Sequence, residues 1–581
     1  MSRTREVHRA GTEAVEAPPL DRRVDRRSFL ERMGLLTAAA AGMATLPAPG
    51  AAVRTTPRLS AAGLPDPRAV QETEPWAMSV GELASLIRAG ELSPRELVDE
   101  YLRRIEAMDA GLLAFNTVTA DRARRDASRA EGLSWSGPLH GIPLAIKDNY
   151  YTAGVPTTAN SHIFADFVPD FDATTWARLK DAGAVLLGKT QMGPLATSRA
   201  TTPDGANTTV NAWSARDASV SPGGSSSGSA TAVAAGLAAS STGTQTGGSI
   251  TNPSESQGLT GLKPTMGRAS LYGIIPLTYT RDHPGPLARD AHDAALMLQA
   301  MAGPDPADPR TLGNPPVPDL VRAATPVRSG SATRLRWPTN VGVIPGYLEA
   351  ATEPPSFDPD QAQDDPAAQE RLRVFRERSR AEVEARRAML EGLEAMGARV
   401  VEVELPADWE TLTSFDFNNV RLPERTEPFL HHLRDDVRKF GVSLSPWING
   451  LLLSGPEYLR GQRAKMLLLQ RVLDDVFGHC DVVVQTSPVP FDIIGLPLIT
   501  FPVGVDRSRG FDLPVGALFG GMPWGEERLL ALAAAWQAET DWHRRRPALP
   551  ADTPEGPDDF GSDADVDRGR TDVLDVFQYG Q

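Results

Sequence analysis

The spacing of apolar residues predicts that helices and strands alternate along most of this chain. Leu83, Leu86 and Ile87 recur at helical intervals, and Ser79 and Ser93 each stand where a helix N-cap is expected. Further helices are predicted at 120–131, 290–302, 367–396 and 526–542. Short apolar runs predict buried strands at 142–146, 340–344, 400–403, 481–484 and 498–501. This alternation is typical of an α/β domain.

Residues 221–253 contain two glycine clusters on either side of an alanine-rich run. The first cluster encloses three consecutive serines at 225–227, and the second, at 247–248, directly precedes Ser249. Because glycine reaches backbone conformations that other residues avoid, the clusters predict sharp turns that present serines. We expect the run at 230–240 to form a tightly packed helix. A flexible linker is the usual meaning of such a composition, but apolar sequence interrupts and follows this one.

The N-terminal segment has the composition of an export signal. The pair Arg26 and Arg27 is followed by Phe-Leu, by a weakly apolar stretch at 33–46 and by small residues at 47–52, which resembles a twin-arginine signal. The alternative is a disordered arginine-rich tail before an alanine helix. The signal predicts a periplasmic or secreted protein that engages the export machinery. Four parts are predicted: a signal at 1–52, a linker at 53–75, a folded domain at 76–546 and an acidic disordered tail at 547–581.

The bulk composition narrows the possible partners. The chain has 581 residues with a formal net charge of −15, which argues against nucleic acid because phosphate binding requires a basic surface. No stretch is long and apolar enough for a stable membrane span. Cys480 is the only cysteine, which rules out an internal disulfide, and we expect a buried thiol rather than a nucleophile. The nine histidines form no metal-binding motif.

Lys147 ends the strand predicted at 142–146. Lysine is rare here, with six lysines against 53 arginines. Burial lowers the pKa of a lysine, so that it can become a neutral base, a role that arginine cannot take. Taken alone, however, the position favours a strand-end lysine paired with Asp148. Asp282 and His283 suggest a triad, but we expect them to position a turn and Arg289 to pair with a carboxylate.

Several segments together resemble the amidase signature family. They occur in order as PLAIKDN around Lys147, GGSSSG at 223–228, GTQTGGSI at 243–250, GPLAR at 285–289, and GLPL and PVG at 495–504. The resemblance covers about 76–546. It implies an α/β amidase signature fold in which helices cover both faces of a mixed sheet. It also implies an amidase that cleaves linear amides and needs neither a metal nor a cofactor.

The resemblance implies a Ser-cisSer-Lys catalytic set. Ser249 matches the nucleophile, Ser225 the serine flanked by a cis peptide, and Lys147 the base that accepts a proton through Ser225. The implied oxyanion hole consists of the backbone N–H groups of Thr246, Gly247, Gly248 and Ser249.

Two positions depart from the family pattern. Gln245 stands where many members carry Asp, and Thr251 where they carry Arg. These changes leave the relay in place, but they put a substrate taken from common relatives in doubt. The Gln-Thr pair at 245–246 is closer to the exported peptide-amidase branch.

The favoured function is a secreted serine amidase, a monomer or homodimer, that hydrolyses a small carboxamide, aryl amide or carbamate. One alternative is an ammonia-delivering transamidase-type subunit. Another is an α/β-hydrolase-like esterase using Ser226, since residues 224–228 satisfy G-x-S-x-G. The last alternative is a non-catalytic binding relative. Substrate-pocket candidates, for which core packing is at least as plausible, are Tyr150, Tyr151, Met192, Thr197 and Trp447, with the segments 415–418 and 447–452.

Overall fold

The computed structural model describes Leu59, Ala61, 63–215, Asp217, 219–354 and 365–549. The predicted export signal at 1–52 lies outside these residues, as does the predicted tail beyond 549. Part of the predicted linker is packed against the domain, because the Ser85 hydroxyl donates to the carbonyl oxygen of Pro65. The helices of the described segments include none that is long and apolar enough to cross a membrane.

A mixed sheet of eleven strands organises the described domain. With a separate hairpin formed by the seventh and eighth, the strands are β1 Phe115–Val118, β2 Pro143–Lys147, β3 Val185–Thr190, β4 Ser240–Gln245, β5 Thr260–Lys263, β6 His283–Ala288, β7 Val327–Ser329, β8 Ala332–Arg334, β9 Thr339–Val343, β10 Ala398–Glu402, β11 Val482–Gln485, β12 Leu498–Asp506 and β13 Leu513–Gly521. Their order in the sheet is β1-β3-β2-β4-β6-β5-β12-β13-β11-β9-β10.

Helices flank the sheet, which confirms the predicted mixed α/β fold. In the described segments they are α1 Val80–Ala89, α2 Pro94–Leu112, α3 Ala120–Glu131, α4 Thr174–Asp181, α5 Ser227–Ala234, α6 Thr251–Ser256, α7 Ala291–Met301, α8 Leu320–Ala323, α9 Pro366–Ala395, α10 Trp409–Thr413, α11 Phe415–Asn419, α12 Leu422–Thr426, α13 Leu430–Asp435, α14 Ser445–Leu452, α15 Gly455–Arg471, α16 Val489–Ile494 and α17 Glu526–Glu539. The predicted N-caps Ser79 and Ser93 are confirmed at the start of α1 and α2, where each also forms a capping box.

The alanine-rich run departs from its predicted structure. The sequence predicts one helix over 230–240, but α5 ends at Ala234 and β4 begins at Ser240. Gly236, with a φ of +69°, lies just beyond the helix and allows the reversal. The residues between the two elements are buried, so small side chains serve both the helix and the turn.

The parallel pairing of β2 with β4 positions the predicted site. Leu144 and Ala145 of β2 lie beside Ser240 and Ser241 of β4. Because parallel strands end at the same edge of a sheet, Lys147 and the glycine-rich turn after Gln245 come together there. Helix α5 packs over both strands. Cys480 lies elsewhere, buried as predicted, and burial raises the pKa of its thiol to about 12.

Candidate active site

Lys147 is fully buried at the end of β2, and its amine contacts only neutral oxygens. The Nζ atom donates to the hydroxyl of Ser225 at 2.8 Å and to the hydroxyl of Thr244 at 2.8 Å. A longer contact of 3.4 Å reaches the carbonyl oxygen of Thr244. The Asn149 side chain also donates to the Thr244 hydroxyl, at 3.1 Å, which fixes that acceptor.

Burial favours the neutral amine of Lys147. Desolvation lowers its pKa from 10.5 to about 7, although the carboxylate of Asp282 acts in the opposite direction. The alternative pairing with Asp148 is wrong, because that carboxylate lies 3.1 Å from the amine of Lys189 instead. These two buried lysines therefore differ in their partners: the amine of Lys189 is ion-paired, whereas the amine of Lys147 contacts hydroxyl groups.

Ser225 lies two residues before α5 and follows a cis peptide bond from Gly224. Its carbonyl oxygen accepts a hydrogen bond from the N–H of Gly193 at 3.0 Å. A side chain at position 224 would not fit, because a Cβ there would lie 2.5 Å from the carbonyl oxygen of Ser198. Close packing on both sides thus fixes the Ser225 hydroxyl beside Lys147.

Ser249 lies on the tight turn between β4 and α6. Gly248 has a φ of +95°, and a Cβ at this position would lie 2.5 Å from the side chain of Asn252. The Ser226 hydroxyl donates to the carbonyl oxygen of Ser249 at 2.5 Å, which ties the turn to the first serine cluster. Ser249 is 9% exposed, and its own hydroxyl forms no hydrogen bond within the described residues.

A buried hydrogen bond between the amide of Gln245 and the carboxylate of Asp492 holds this turn in place. The Gln245 carbonyl oxygen Oε1 accepts from the N–H groups of Ile250 and Thr251 at 2.8 and 2.9 Å. Its Nε2 donates to the carboxylate of Asp492 at 2.9 Å, and that carboxylate lies 3.4 Å from the amine of Lys263. All of these side chains are fully buried or nearly so. Gln245 therefore bridges the start of α6 to α16.

One of the four predicted oxyanion-hole donors is already hydrogen-bonded within the protein. The N–H of Gly248 donates to the Asp492 carboxylate at 2.9 Å, so it is not available to a substrate oxygen in this arrangement. The N–H groups of Thr246, Gly247 and Ser249 donate to no acceptor in the described part of the chain. A Cβ at Gly247 would meet open space, which leaves this side of the turn accessible.

Sequence reasoning missed two residues that contact this site, Thr244 and Asp492, and expected the third, Asp282, only to position a turn. Thr244 lies within the motif at 243–250, but nothing in the motif distinguishes its hydroxyl as a partner of Lys147. Asp492 is 247 positions from Gln245, and its only sequence signal is that it lies just before the GLPL segment. Asp282 accepts from the Thr246 hydroxyl and from the N–H groups of Leu277 and Thr278. It therefore holds a turn, as predicted.

Two other expectations concern the segment around β6. His283 is buried, its Nδ1 lies 3.4 Å from the carbonyl oxygen of Gln245, and burial holds its pKa well below 6.5. Its ring forms no hydrogen bond with Ser225, Ser226 or Ser249. The prediction that Arg289 pairs with a carboxylate is wrong, because its guanidinium donates to the carbonyl oxygens of Met78 and Ala238.

The pocket candidates separate into buried and accessible residues. Tyr150 is fully buried and its hydroxyl donates to the carbonyl oxygen of Gly243 at 2.6 Å, so it supports β4 rather than a pocket wall. Met192 and Trp447 are also fully buried and share one apolar cluster. Tyr151 is half-buried and packs against Phe167 and Phe171. Thr197 is also half-buried, and its hydroxyl donates a hydrogen bond to the carbonyl oxygen of Pro194. Of the five, these two remain candidates.

The site thus combines a buried lysine, a serine bonded to it and a second serine on a glycine-rich turn. The sequence model of the Amidase family matches residues 96–485. The chain therefore belongs to the Amidase family, whose signature the motifs resemble, and it is an amide-hydrolysing enzyme.

Known proteins resemble the chain over nearly their full length. It is 32% identical to a glutamyl-tRNA(Gln) amidotransferase subunit from Synechococcus sp. (strain WH7803), over 81% of this chain and 99% of that protein. The protein of the same name from Geotalea daltonii is 33% identical over 82% of this chain and 100% of that protein. Among solved structures, the native peptide amidase of Stenotrophomonas maltophilia superposes with a TM-score of 0.66 at 29% identity, covering 84% of this chain and 100% of that one.

Proposed function

We propose that the chain is a serine amidase that forms an acyl-enzyme on Ser249, with Ser225 and Lys147 as its proton relay. The observation that carries this proposal is the 2.8 Å contact between the Lys147 amine and the Ser225 hydroxyl. Since burial lowers the pKa of this lysine to about 7, a large share of the amine is neutral near pH 7 and can accept a proton. The proposed substrate is a small carboxamide, aryl amide or carbamate.

The reaction begins when the Ser249 oxygen attacks the amide carbonyl. Its proton passes to the Ser225 oxygen while the Ser225 proton passes to the Lys147 amine, so that the relay carries one proton without net charge on either serine. The same path in reverse protonates the departing amine, and the C–N bond breaks. Water then attacks the acyl-enzyme by the same route. The hydroxyls of Ser225 and Ser249 must form a hydrogen bond with each other in this step. Catalytic hydrogen bonds of this kind commonly shorten only when substrate binds.

The N–H groups of Thr246, Gly247 and Ser249 are the proposed donors to the tetrahedral oxyanion. Their lack of acceptors in the described segments supports this assignment. A single donor of this type typically contributes about 10²–10³ in rate. The Gly248 N–H instead stabilises the turn through Asp492.

A transamidase-type subunit is the second candidate, and the named relatives favour it. The two amidotransferase proteins are 32% and 33% identical over nearly their whole length. The likeness to a peptide amidase favours a hydrolase. Release of amine by the purified chain without a partner protein would support the first candidate, whereas hydrolysis that requires a partner would support the second. The esterase alternative is weak because Ser226 is fully buried and donates to a backbone carbonyl.

Substitution of the relay residues tests the proposal. We expect Ser249→Ala to abolish release of nitroaniline from acyl-anilides, and Lys147→Ala nearly to abolish it. Ser128→Ala is the control, because this serine is exposed on α3 and its hydroxyl donates to the carbonyl oxygen of Arg124. Normal activity of Lys147→Ala would contradict the relay.

We also propose that the chain is exported through the twin-arginine route. The pair Arg26 and Arg27 and the weakly apolar stretch behind it support this proposal. Replacement of both arginines by lysine should retain the full-length protein inside the producing cell. Unchanged export of that variant would refute the assignment.

A further inference from the structure

The two loops that carry the proposed catalytic serines expose almost no side chains. In the first loop, residues 222–229, only the glycines at 223–224 are partly exposed, and the other residues are buried. In the second loop, residues 246–254, only Gly247 and Asn252 are exposed. Asn252 is therefore the only exposed residue of these two described segments that has a side chain.

Asn252 lies on the same turn as the proposed nucleophile. Its N–H donates to the carbonyl oxygen of Gly248 at 2.8 Å, which closes a helical turn that contains Ser249. Residues three positions apart on such a turn have Cβ atoms about 5–6 Å apart. The side chain also folds back over Gly248, because a Cβ on that glycine would lie 2.5 Å from Nδ2 and 2.8 Å from Oδ1 of Asn252. The amide group therefore lies against the turn that presents the Ser249 hydroxyl.

The same residue borders the loop of Ser225. A Cβ on Gly223 would lie 2.4 Å from the Cα atom of Pro253 and 3.0 Å from the carbonyl carbon of Asn252. The two serine loops therefore touch at the peptide bond between Asn252 and Pro253. A substrate that reaches Ser249 along the exposed side of these loops meets glycine backbone and one side chain, that of Asn252.

The side-chain amide of Asn252 has no partner inside the described part of the protein. It forms no hydrogen bond there, whereas the buried amide of Gln245 is bonded through both its oxygen and its nitrogen. A side-chain amide has two N–H donors, one carbonyl acceptor and no charge. Another amide complements it, because that group also offers one acceptor and one donor. An alkyl group placed against it would remove its water without replacing the lost hydrogen bonds.

We propose that Asn252 is a specificity-determining residue that contacts the substrate and selects amides with a second amide group beside the bond that is cleaved. The C=O and N–H of the second amide bond Nδ2 and Oδ1 of Asn252, and this amide belongs either to the acyl part or to the leaving amine. The inference rests on the proposed amidase function and names a substrate class within it, peptide-like amides rather than simple alkyl amides.

The first experiment places the second amide in the acyl part. It compares kcat/KM of the purified full chain for the p-nitroanilide of N-acetylglycine with that for the p-nitroanilide of pentanoic acid, in which two methylene groups replace the amide. Because the two anilides differ in intrinsic reactivity, the change of their ratio on substitution is the quantity that tests Asn252. We expect Asn252→Ala to lower the ratio about fivefold or more, since hydrogen bonds between neutral groups have this magnitude.

The second experiment places the second amide in the leaving amine. It compares N-butyrylglycinamide with N-isobutylbutyramide, in which an isopropyl group replaces the carboxamide, and measures the release of butyrate by mass spectrometry. The same fall of the ratio in Asn252→Ala assigns the contact to this side of the substrate.

Two further variants separate recognition from structure. Asn252→Asp keeps the size of the side chain but removes its donors, so it should also lower the ratio. Gln470→Ala removes another exposed amide, on α15, and should leave the ratio as in the wild type. A merely structural role of Asn252 would lower kcat/KM for both members of a pair alike.

A ratio that falls in both Asn252 variants in either experiment supports the inference and shows where the second amide lies. A ratio that stays unchanged in both experiments would overturn it, as would an equal fall in Gln470→Ala. Absence of turnover of all four compounds would instead contradict the proposed amidase function, and the inference with it.

Discussion

Lowering the pH should switch the enzyme off through a single lysine. Burial lowers the pKa of Lys147 from 10.5 to about 7. Half of the molecules then carry the neutral amine at pH 7, about one in ten at pH 6 and about one in a hundred at pH 5. With an ordinary pKa, only about one molecule in three thousand would be competent at pH 7.

The assay is kcat/KM for nitroaniline release between pH 5 and 9 at constant ionic strength. We expect a tenfold rise per pH unit below about 6.5 and a plateau above about 8. His283 does not explain such a profile, because its pKa is held well below 6.5 and its ring forms no hydrogen bond with Ser225, Ser226 or Ser249. Lys147→Arg should be inactive throughout, since a guanidinium keeps its proton. A flat profile, a midpoint near 10 or an active Lys147→Arg would refute the reasoning.

Three further predictions concern stability. Because the pKa of Lys147 is lower in the folded state, the free energy of unfolding of the wild type should rise from about pH 7 towards 10.5. Lys147→Met removes this titration. The free energy of unfolding that it gains over the wild type, measured in urea, should therefore be about 2–3 kcal/mol larger at pH 6 than at pH 9. Asp492→Asn leaves Lys263 without its buried partner and should cost about 3–5 kcal/mol in the same measurement. Tyr150→Phe loses the hydrogen bond to Gly243 and should cost about 1–2 kcal/mol while kcat/KM changes little. A larger loss of kcat/KM would restore Tyr150 as a pocket residue.

Local signals predicted local structure well. The N-caps predicted at Ser79 and Ser93 depend on residues three positions apart, and both form. Lys147 at the end of β2 was recognisable because lysine is rare in this chain, with six lysines against 53 arginines. The helix predicted for the alanine-rich run is too long, because small residues suit a helix and a buried turn equally.

Contacts between distant segments were not predictable from one sequence. Gln245 was recognised only as a departure from the family pattern, whereas the structure gives it a partner in Asp492. Arg289 was expected to pair with a carboxylate, but its guanidinium donates hydrogen bonds to the carbonyl oxygens of Met78 and Ala238 instead. In both cases the tertiary fold, rather than the neighbouring sequence, decides which group a buried polar side chain meets.

The same limit applies to charged side chains that pack inside the domain. Arg421 lies just before α12 and Lys465 within α15, and nothing in their local sequence predicts their partners. Only the packing shows that their hydrogen-bond acceptors are neutral.

Covalent labelling of the nucleophile tests the central claim most directly. The wild-type protein treated with a fluorophosphonate should gain one adduct, which peptide mass spectrometry should locate on Ser249. We predict that Ser249→Ala remains unlabelled and that Lys147→Ala labels at least a hundredfold more slowly, within the range of general-base contributions of about 10²–10⁴. An adduct on Ser225 or Ser226, or undiminished labelling of Ser249→Ala, would contradict the account.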